Sequence, residues 1–259
     1  MTIGLPGLPI TYEFPLHERI RTWLRLEDLF DKVQYFISVD SARAHHAALL
    51  SLFELAEVTA RPELKSELIQ ELDRQKAGLE SLRHNQAVDQ GRLDTVLSEI
   101  ASNLSDLHAI SGKVGQHLRE NDWLSGIKSR SSLPGGVCGF DVPCYQHWLH
   151  QSWVSRASDL NEWLAPMLAI RNAVTQVLRI LRDSGHASRH TAAAGAFQLM
   201  LGGRTAHLVR VEVDDSVPCA PEISANKYAI NIRFVQPEKT QKPRPCDLDV
   251  SFSLTLCNL

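Results

Sequence analysis

No stretch of the 259-residue chain reaches 18 uncharged apolar residues, so no membrane-spanning helix and no membrane insertion are expected. The opening ten residues, MTIGLPGLPI, have neither a basic leading segment nor a continuous apolar core, so they do not read as a secretion signal. Glycine (14) and proline (12) stand at ordinary globular levels, and repeats and low-complexity segments are absent, which argues against disorder and fibrous architectures. Cysteine is scarce. The five, Cys138, Cys144, Cys219, Cys246 and Cys257, are odd in number and loosely spaced, the pattern of reduced thiols in a cytoplasmic protein. A large excess of either charge is also missing. Lys plus Arg number 27 against 30 Asp plus Glu, a net charge of −3, which leaves no broad face for nucleic acid.

The common fingerprints of chemistry are absent as well. There is no G-x-G-x-x-G, no P-loop, no H-E-x-x-H and no G-x-S-x-G, so no cofactor and no catalytic residue is expected. The Gly-Gly pairs at 135–136 and 202–203 read as turns. The densest polar and aromatic segment is LPGGVCGFDVPCYQHWLH, residues 133–150, where Cys138, Cys144, His147 and His150 offer sulfur and nitrogen donors of the kinds zinc takes. Its cysteines are six apart with no compact C-x-x-C, so a rigid turn feeding a short helix explains the same residues without a metal. A small metal-dependent or thiol enzyme centred on Cys138, Cys144 and His147 remains the alternative reading. His45, His46, His186 and His190 read as exposed or structural, and Asp247 with Asp249 as a wet strand edge.

What is present is a change of periodicity. Residues 12–184 are dominated by apolar spacings of three and four, beginning with Leu16, Ile20, Trp23, Phe30, Val33 and Ile37. Similar stripes follow over 41–58, over 64–82 after Pro62, and over 93–107. Shorter helices are expected over 113–130 and 142–151, the latter capped by Asp141, and a long one over 159–183 that kinks or restarts at Pro166. After Ser184-Gly185 the period becomes two. AHLVRVEV (206–213), KYAINIRFV (227–235) and DLDVSFSLTL (247–256) alternate as antiparallel strands with one wet face do. Residues 236–245, with three prolines, read as a loop and not a ladder strand. The expectation is an α+β chain: a mostly helical domain over 1–184, then a small antiparallel β domain over 185–259. With four or so strands, that sheet is expected to pack on helices instead of standing alone.

The two parts differ in charge. Residues 1–183 carry 19 basic and 23 acidic side chains, whereas 184–259 carry 8 and 7. Several basic residues stand beside aromatics. Arg21 and Arg25 share a helix face around Trp23, Arg61 precedes the third helix, Arg119 follows His117-Leu118, and Lys227 and Arg233 lie in a strand. Together they suit a cleft for an acidic peptide with an apolar anchor, because arginine forks pair with carboxylates while aromatics bury the anchor.

These residues also carry a family resemblance. YEFPLHERIRTWLRLE (12–27) resembles the N-terminal signature of the ZapD (YacF) family of bacterial cell-division proteins. The match continues in order through ELDR (71–74), GQHLRE (115–120), LPGGVCGFDVP (133–143), WLH (148–150) and INIRF (230–234). The resemblance implies a dimeric, non-enzymatic protein that binds the C-terminal tail of FtsZ. It also implies crosslinking and bundling of FtsZ protofilaments, support of Z-ring assembly at midcell, and an indirect lowering of FtsZ GTPase activity. Of the family's basic binding positions it retains Arg25, Arg61 and Arg233, with Arg21 one turn from Arg25. At three further positions this sequence has Asp122, Gln146 and Ala229, and Arg119, His147 and Lys227 are the neighbours placed to supply the charge instead. Lys227 and Ala229 share strand parity, which favours that exchange.

Overall fold

The computed structural model describes residues 9–259, and of the segment read as lacking a secretion signal only the last two residues fall inside it. The chain separates into two compact units, Thr22–Leu178 and the remainder, in which the residues up to Arg21 join Arg179–Leu259. The division falls within the two helices α1 (Glu18–Ser38) and α9 (Leu168–Asp183).

The first unit is helical. Between α1 and α9 it holds α2 (Ala42–Thr59), α3 (Leu64–Glu80), α4 (Gln90–Ala109), α5 (Gln116–Arg119), α6 (Asp122–Ser131), α7 (Pro143–Leu149) and α8 (Trp153–Leu164). The expected stripes are the buried ones: Trp23, Leu26, Phe30 and Val33 on α1, Leu64, Leu68 and Leu72 on α3, and Leu93, Leu97, Ile100, Leu104 and Leu107 on α4. Helix starts are set by short polar side chains that accept otherwise unpaired backbone N–H groups. Ser41 receives Ala44 N at 3.4 Å, Asp89 receives Arg92 N at 3.1 Å and Ser152 receives Ser155 N at 3.2 Å.

Two helical expectations are corrected, and a third, the restart at Pro166, is met. The helix expected over 113–130 is two, α5 and α6, because Asn121 accepts Leu124 N at 3.0 Å and starts the chain afresh. Asp141 does not cap α7: Val142 occupies the cap with no side-chain bond, and Pro143 lies in the first turn. The last long run breaks at Pro166, where a 3-10 turn, Ala165–Met167, separates α8 from α9. By length and composition Trp153–Asp183 is apolar enough to cross a membrane, with mean hydropathy 1.2, although no uninterrupted apolar run signals it. Half of that window is buried inside the fold, as in the core helix of a globular protein.

Among the described residues the second unit has eight strands, twice the number expected. β1 (Ile10–Pro15), β4 (Leu208–Val213), β8 (Val250–Cys257) and β2 (His186–Ala192) form one antiparallel sheet in the order β1-β4-β8-β2. β3 (Ala196–Met200), β6 (Ala229–Gln236) and β5 (Ala220–Ala225) form another, and the two-residue β7 (Arg244–Pro245) pairs with β6 inside the segment expected to be a loop. The β1 segment, expected to open the helical pattern, runs antiparallel to β4 with Tyr12 opposite Val211 and Phe14 opposite Val209.

The two sheets share one core, and the β region also packs on a helix, as expected. Val209, Val211, Phe252 and Leu254 of one sheet share a core with Ile230, Ile232 and Phe234 of the other, and the Phe234 and Phe252 ring centroids are 5.4 Å apart. The outer face of the first sheet is covered in part by the final turn of α9. There Leu208, Thr255 and Cys257 are buried and Cys257 Sγ lies 3.8 Å from the Arg182 carbonyl.

Candidate partner-binding site

On α1, Arg21 and Arg25 lie four residues apart and project from the face opposite the buried Trp23–Phe30 stripe. Arg21 is steadied from its own turn and from β1: its Nε is 3.4 Å from Glu18 and its guanidinium 5.9 Å from the Phe14 ring centroid. Between the two arginines sits Thr22, which is buried. Its Oγ1 accepts a 3.2 Å hydrogen bond from Arg61 Nη1, reaching back from the turn between α2 and α3. Thr22 and Arg25 are three residues apart on α1, so the bond ties Arg61 to the turn of α1 that carries Arg25. Both arginines are exposed.

Arg119 is used differently. From the end of α5 its Nη1 donates to the Ala56 carbonyl at 3.1 Å and its Nη2 to the Val114 carbonyl at 3.0 Å. The cation thereby closes the C-terminal end of α2, where it meets the negative end of the helix dipole. It borders a hollow of about 400 Å³ lined also by Phe53, Leu118, Leu124 and Lys128. Lys128 pairs with Glu57 and holds that carboxyl below its usual range. Asp122, where a basic residue was sought, opens α6, a helix-start position that favours an acid.

His147 is exposed on α7, on the side away from Tyr145 and Trp148, which turn inward. Those two stack with centroids 5.8 Å apart, the Tyr145 hydroxyl lies 2.6 Å from His46 Nδ1, and Trp148 Nε1 donates to Asp159 at 2.8 Å. Gln146 is exposed beside His147. His45 is fully buried: its Nε2 lies 3.1 Å from the Ile37 carbonyl and its Nδ1 accepts from Arg156 Nε at 3.1 Å. Cys138 and Cys144 are exposed thiols, and His150 Nδ1 donates to the Gln146 carbonyl at 2.8 Å. Among the described residues no group of three or more His, Cys, Asp or Glu is placed to hold a metal ion.

In the β unit Arg233 is exposed at the middle of β6, opposite Ala196 on β3 and Glu222 on β5. It lines a concavity of about 680 Å³ on the outer face of its sheet together with Gln198, Asn231, Glu222 and Ser224, and Gln198 Nε2 donates to Asn231 at 2.9 Å. Lys227 is not in the strand. It lies in the β5–β6 turn with its ammonium 4.8 Å from the Tyr228 ring centroid, and Asn226 Oδ1 accepts from the backbone of Tyr228 and Ala229. Strand parity therefore does not carry from Ala229 to Lys227, and Ala229 itself is buried. Asp249, expected on a wet edge, accepts from Ala194 N at 2.9 Å and holds the β2–β3 turn.

The structure thus ties Arg61 to the turn of α1 that carries Arg25, with Arg21 one turn earlier on that helix, and places Arg119 and His147 on other elements of the helical unit. Arg233 and Lys227 belong to the β unit. Two groups of participants were not foreseen: Thr22, which anchors Arg61, and the polar floor of Gln198, Asn231 and Glu222 around Arg233.

Comparison with known proteins bears on the family. The family model "ZapD: Cell division protein" matches residues 24–233. The "Cell division protein ZapD" of Dechloromonas aromatica is 52% identical over 251 residues, covering 96% of this chain and all of that protein. Those of Aromatoleum aromaticum and Azoarcus sp. are 49% and 48% identical over 250 residues, again 96% of this chain, and 98% and 100% of theirs. The chain belongs to the ZapD family of cell division proteins.

Proposed function

We propose that this protein binds the acidic, apolar C-terminal tail of FtsZ and, as a homodimer, crosslinks and bundles FtsZ protofilaments in the cytoplasm, at the midcell division ring. Arg25 and Arg61 supply the charge on the helical unit, Arg21 adds to it at the start of α1, and Arg233 with Lys227 supplies it on the β unit. Arg119 and His147 are secondary contributors, the first because its guanidinium already serves two carbonyls. The observation that carries the proposal is the hydrogen bond from Arg61 to Thr22, which ties one exposed arginine to the turn of α1 that bears the exposed Arg25, in a chain of this family. Guanidinium forks suit carboxylates. The helical domain carries the dimer contact, and two copies of the surface raise the local tail concentration, so a modest single-site affinity holds filaments together. Slower filament turnover lowers FtsZ GTPase activity indirectly.

The test is sedimentation of FtsZ filaments with and without the protein, repeated with FtsZ lacking its tail. Bundling is expected only with the intact tail. An absence of bundling with either FtsZ at low salt overturns the proposal. Arg25→Glu and Arg233→Glu are each expected to weaken tail-peptide binding at least tenfold with the dimer intact, and unchanged affinity moves the site elsewhere.

A further inference from the structure

Of the five cysteines, Cys138 and Cys144 are exposed on the helical unit, and Cys257 lies against the Arg182 carbonyl. Cys219 and Cys246 are the pair in contact. Their sulfurs are 2.6 Å apart, and both residues belong to the buried core shared by the two sheets. Each stands where an ordered strand meets an exposed segment. Cys219 follows the Asp214–Pro218 turn and leads into β5, and Cys246 directly follows β7 and the proline-bearing loop 237–245. The main chain at Cys246 is held by its N–H donating to Phe234 at 3.0 Å, and Gly195 packs against its carbonyl so closely that a methyl group would not fit.

We infer that Cys219 and Cys246 are a thiol–disulfide modification site, oxidised reversibly by low-molecular-weight disulfides. Two small buried thiols also pack as apolar groups, but here the sulfurs already meet, and the Cys246 backbone is fixed by β6. The bond ties together the two flanks of β6, the strand that carries Arg233, and so staples the β-domain part of the surface. It does not depend on what that surface binds.

The reaction is thiol–disulfide exchange. When the loop 237–245 opens, the Cys246 thiolate attacks one sulfur of the small disulfide, forming a mixed disulfide and releasing one small thiolate. The Cys219 thiolate then attacks the Cys246 sulfur and releases the second. The protein loses two protons and two electrons, and the small disulfide gains them as two thiols. Burial raises the Cys219 thiol above its ordinary range, with the neighbouring Cys246 adding to the effect. Cys219 therefore keeps its proton at neutral pH while the core is closed, and oxidation proceeds through local opening.

The test uses the folded full-length protein, incubated with oxidised glutathione, acid-quenched, blocked with N-ethylmaleimide in denaturant and mapped by peptide mass spectrometry. The exposed Cys138 and Cys144 report within the same sample that the oxidant has reacted. The expected product joins the Cys219 and Cys246 peptides at a mass about 2 Da below the sum of the reduced pair, is released by dithiothreitol, and persists when Cys138 and Cys144 are both replaced by Ser. Maleimide on both Cys219 and Cys246 after Cys138 and Cys144 have been modified overturns the inference. So does a bond from either residue to any other cysteine.

Discussion

Glu13 on β1 is clasped by Arg182, 169 residues further along the chain, through hydrogen bonds of 2.8 Å from Nε and from Nη2 to its two carboxylate oxygens. Arg210 on β4 stands directly opposite Glu13 in the ladder, and its Nε approaches the same carboxylate at 3.1 Å, off the line of a directed hydrogen bond. One carboxylate therefore pairs with two cations whose side chains are each only 25% exposed, with Glu212 3.7 Å from Arg210 as a second acid, and joins β1, β4 and the last turn of α9. Removing one partner of a fully buried pair costs about 3–5 kcal/mol. With a fifth to a quarter of each group still in water, Glu13→Gln is expected to cost about 2 kcal/mol. Urea denaturation checks this: the midpoint falls, and an unchanged midpoint shows that water already satisfies both arginines.

Arg61 and Arg119 separate binding from folding. Arg61 is exposed and makes one bond to a hydroxyl, so Arg61→Ala is expected to change stability by less than about 0.5 kcal/mol while weakening binding of the FtsZ tail peptide. Arg119→Ala leaves the carbonyl of the buried Val114 without its donor and that of the buried Ala56 with the longer 3.3 Å bond from Thr59 Oγ1, and is expected to cost about 1–2 kcal/mol. Thermal melting beside a peptide titration checks both variants. Loss of binding at full stability in Arg119→Ala would return that residue to the binding surface.

The contrast between these arginines shows what could be read from the sequence. Helices with a continuous apolar stripe, such as Leu93–Leu107, and central strands such as β8, with Val250, Phe252 and Leu254 inward, announce themselves because one face is dry. Edge strands do not. β2, HASRHTA, has only Ala192 buried, and β5, APEISA, has no buried residue, so neither carries an alternation to read. β1 has Tyr12 and Phe14 packed on the sheet core, but six residues running directly into Leu16 and Ile20 merge with the helical spacing. For the site, residue type located the cations, yet their partners are set by tertiary contacts. Nothing near Arg119 in sequence shows that Ala56, 63 residues earlier, takes its charge.

The buried histidines give the protein an acid limb. Burial depresses His45, and the Nε2–H bond to Ile37 leaves Nδ1 as the acceptor from Arg156, so protonation there sets two cations against each other. Burial likewise depresses His46, whose Nδ1 accepts from the Tyr145 hydroxyl, itself raised by burial and so kept protonated. A histidine with a lowered folded-state value binds more protons when unfolded. Its stability contribution is complete above the ordinary value of 6.5 and is lost as pH falls below it, down to the folded-state value. Urea midpoints measured from pH 7.5 to 5 are expected to fall through this window. His45→Gln is expected to give a shallower fall whatever its starting stability, and an equal slope in the two proteins places the acid sensitivity elsewhere.

Gly195 and Gly202 both have positive φ, +70° and +56°, but only one is crowded. A Cβ at Gly202 meets nothing within 4 Å, so Gly202→Ala is expected to cost about 1 kcal/mol, the strain of a left-handed residue alone. A Cβ at Gly195 falls 2.4 Å from the Cys246 carbonyl oxygen and 3.0 Å from its Cβ, contacts with backbone and a short side chain that cannot swing aside. Moving Cys246 away strains its N–H bond to Phe234, and moving Gly195 strains the 2.7 Å bond from Phe234 N to the Gly195 carbonyl. Gly195→Ala is therefore expected to cost about 2–3 kcal/mol, left-handed strain plus overpacking. Paired urea denaturation of the two variants reads the difference directly, and equal losses would mean that Cys246 yields freely and that the Gly195 contact does not fix its position.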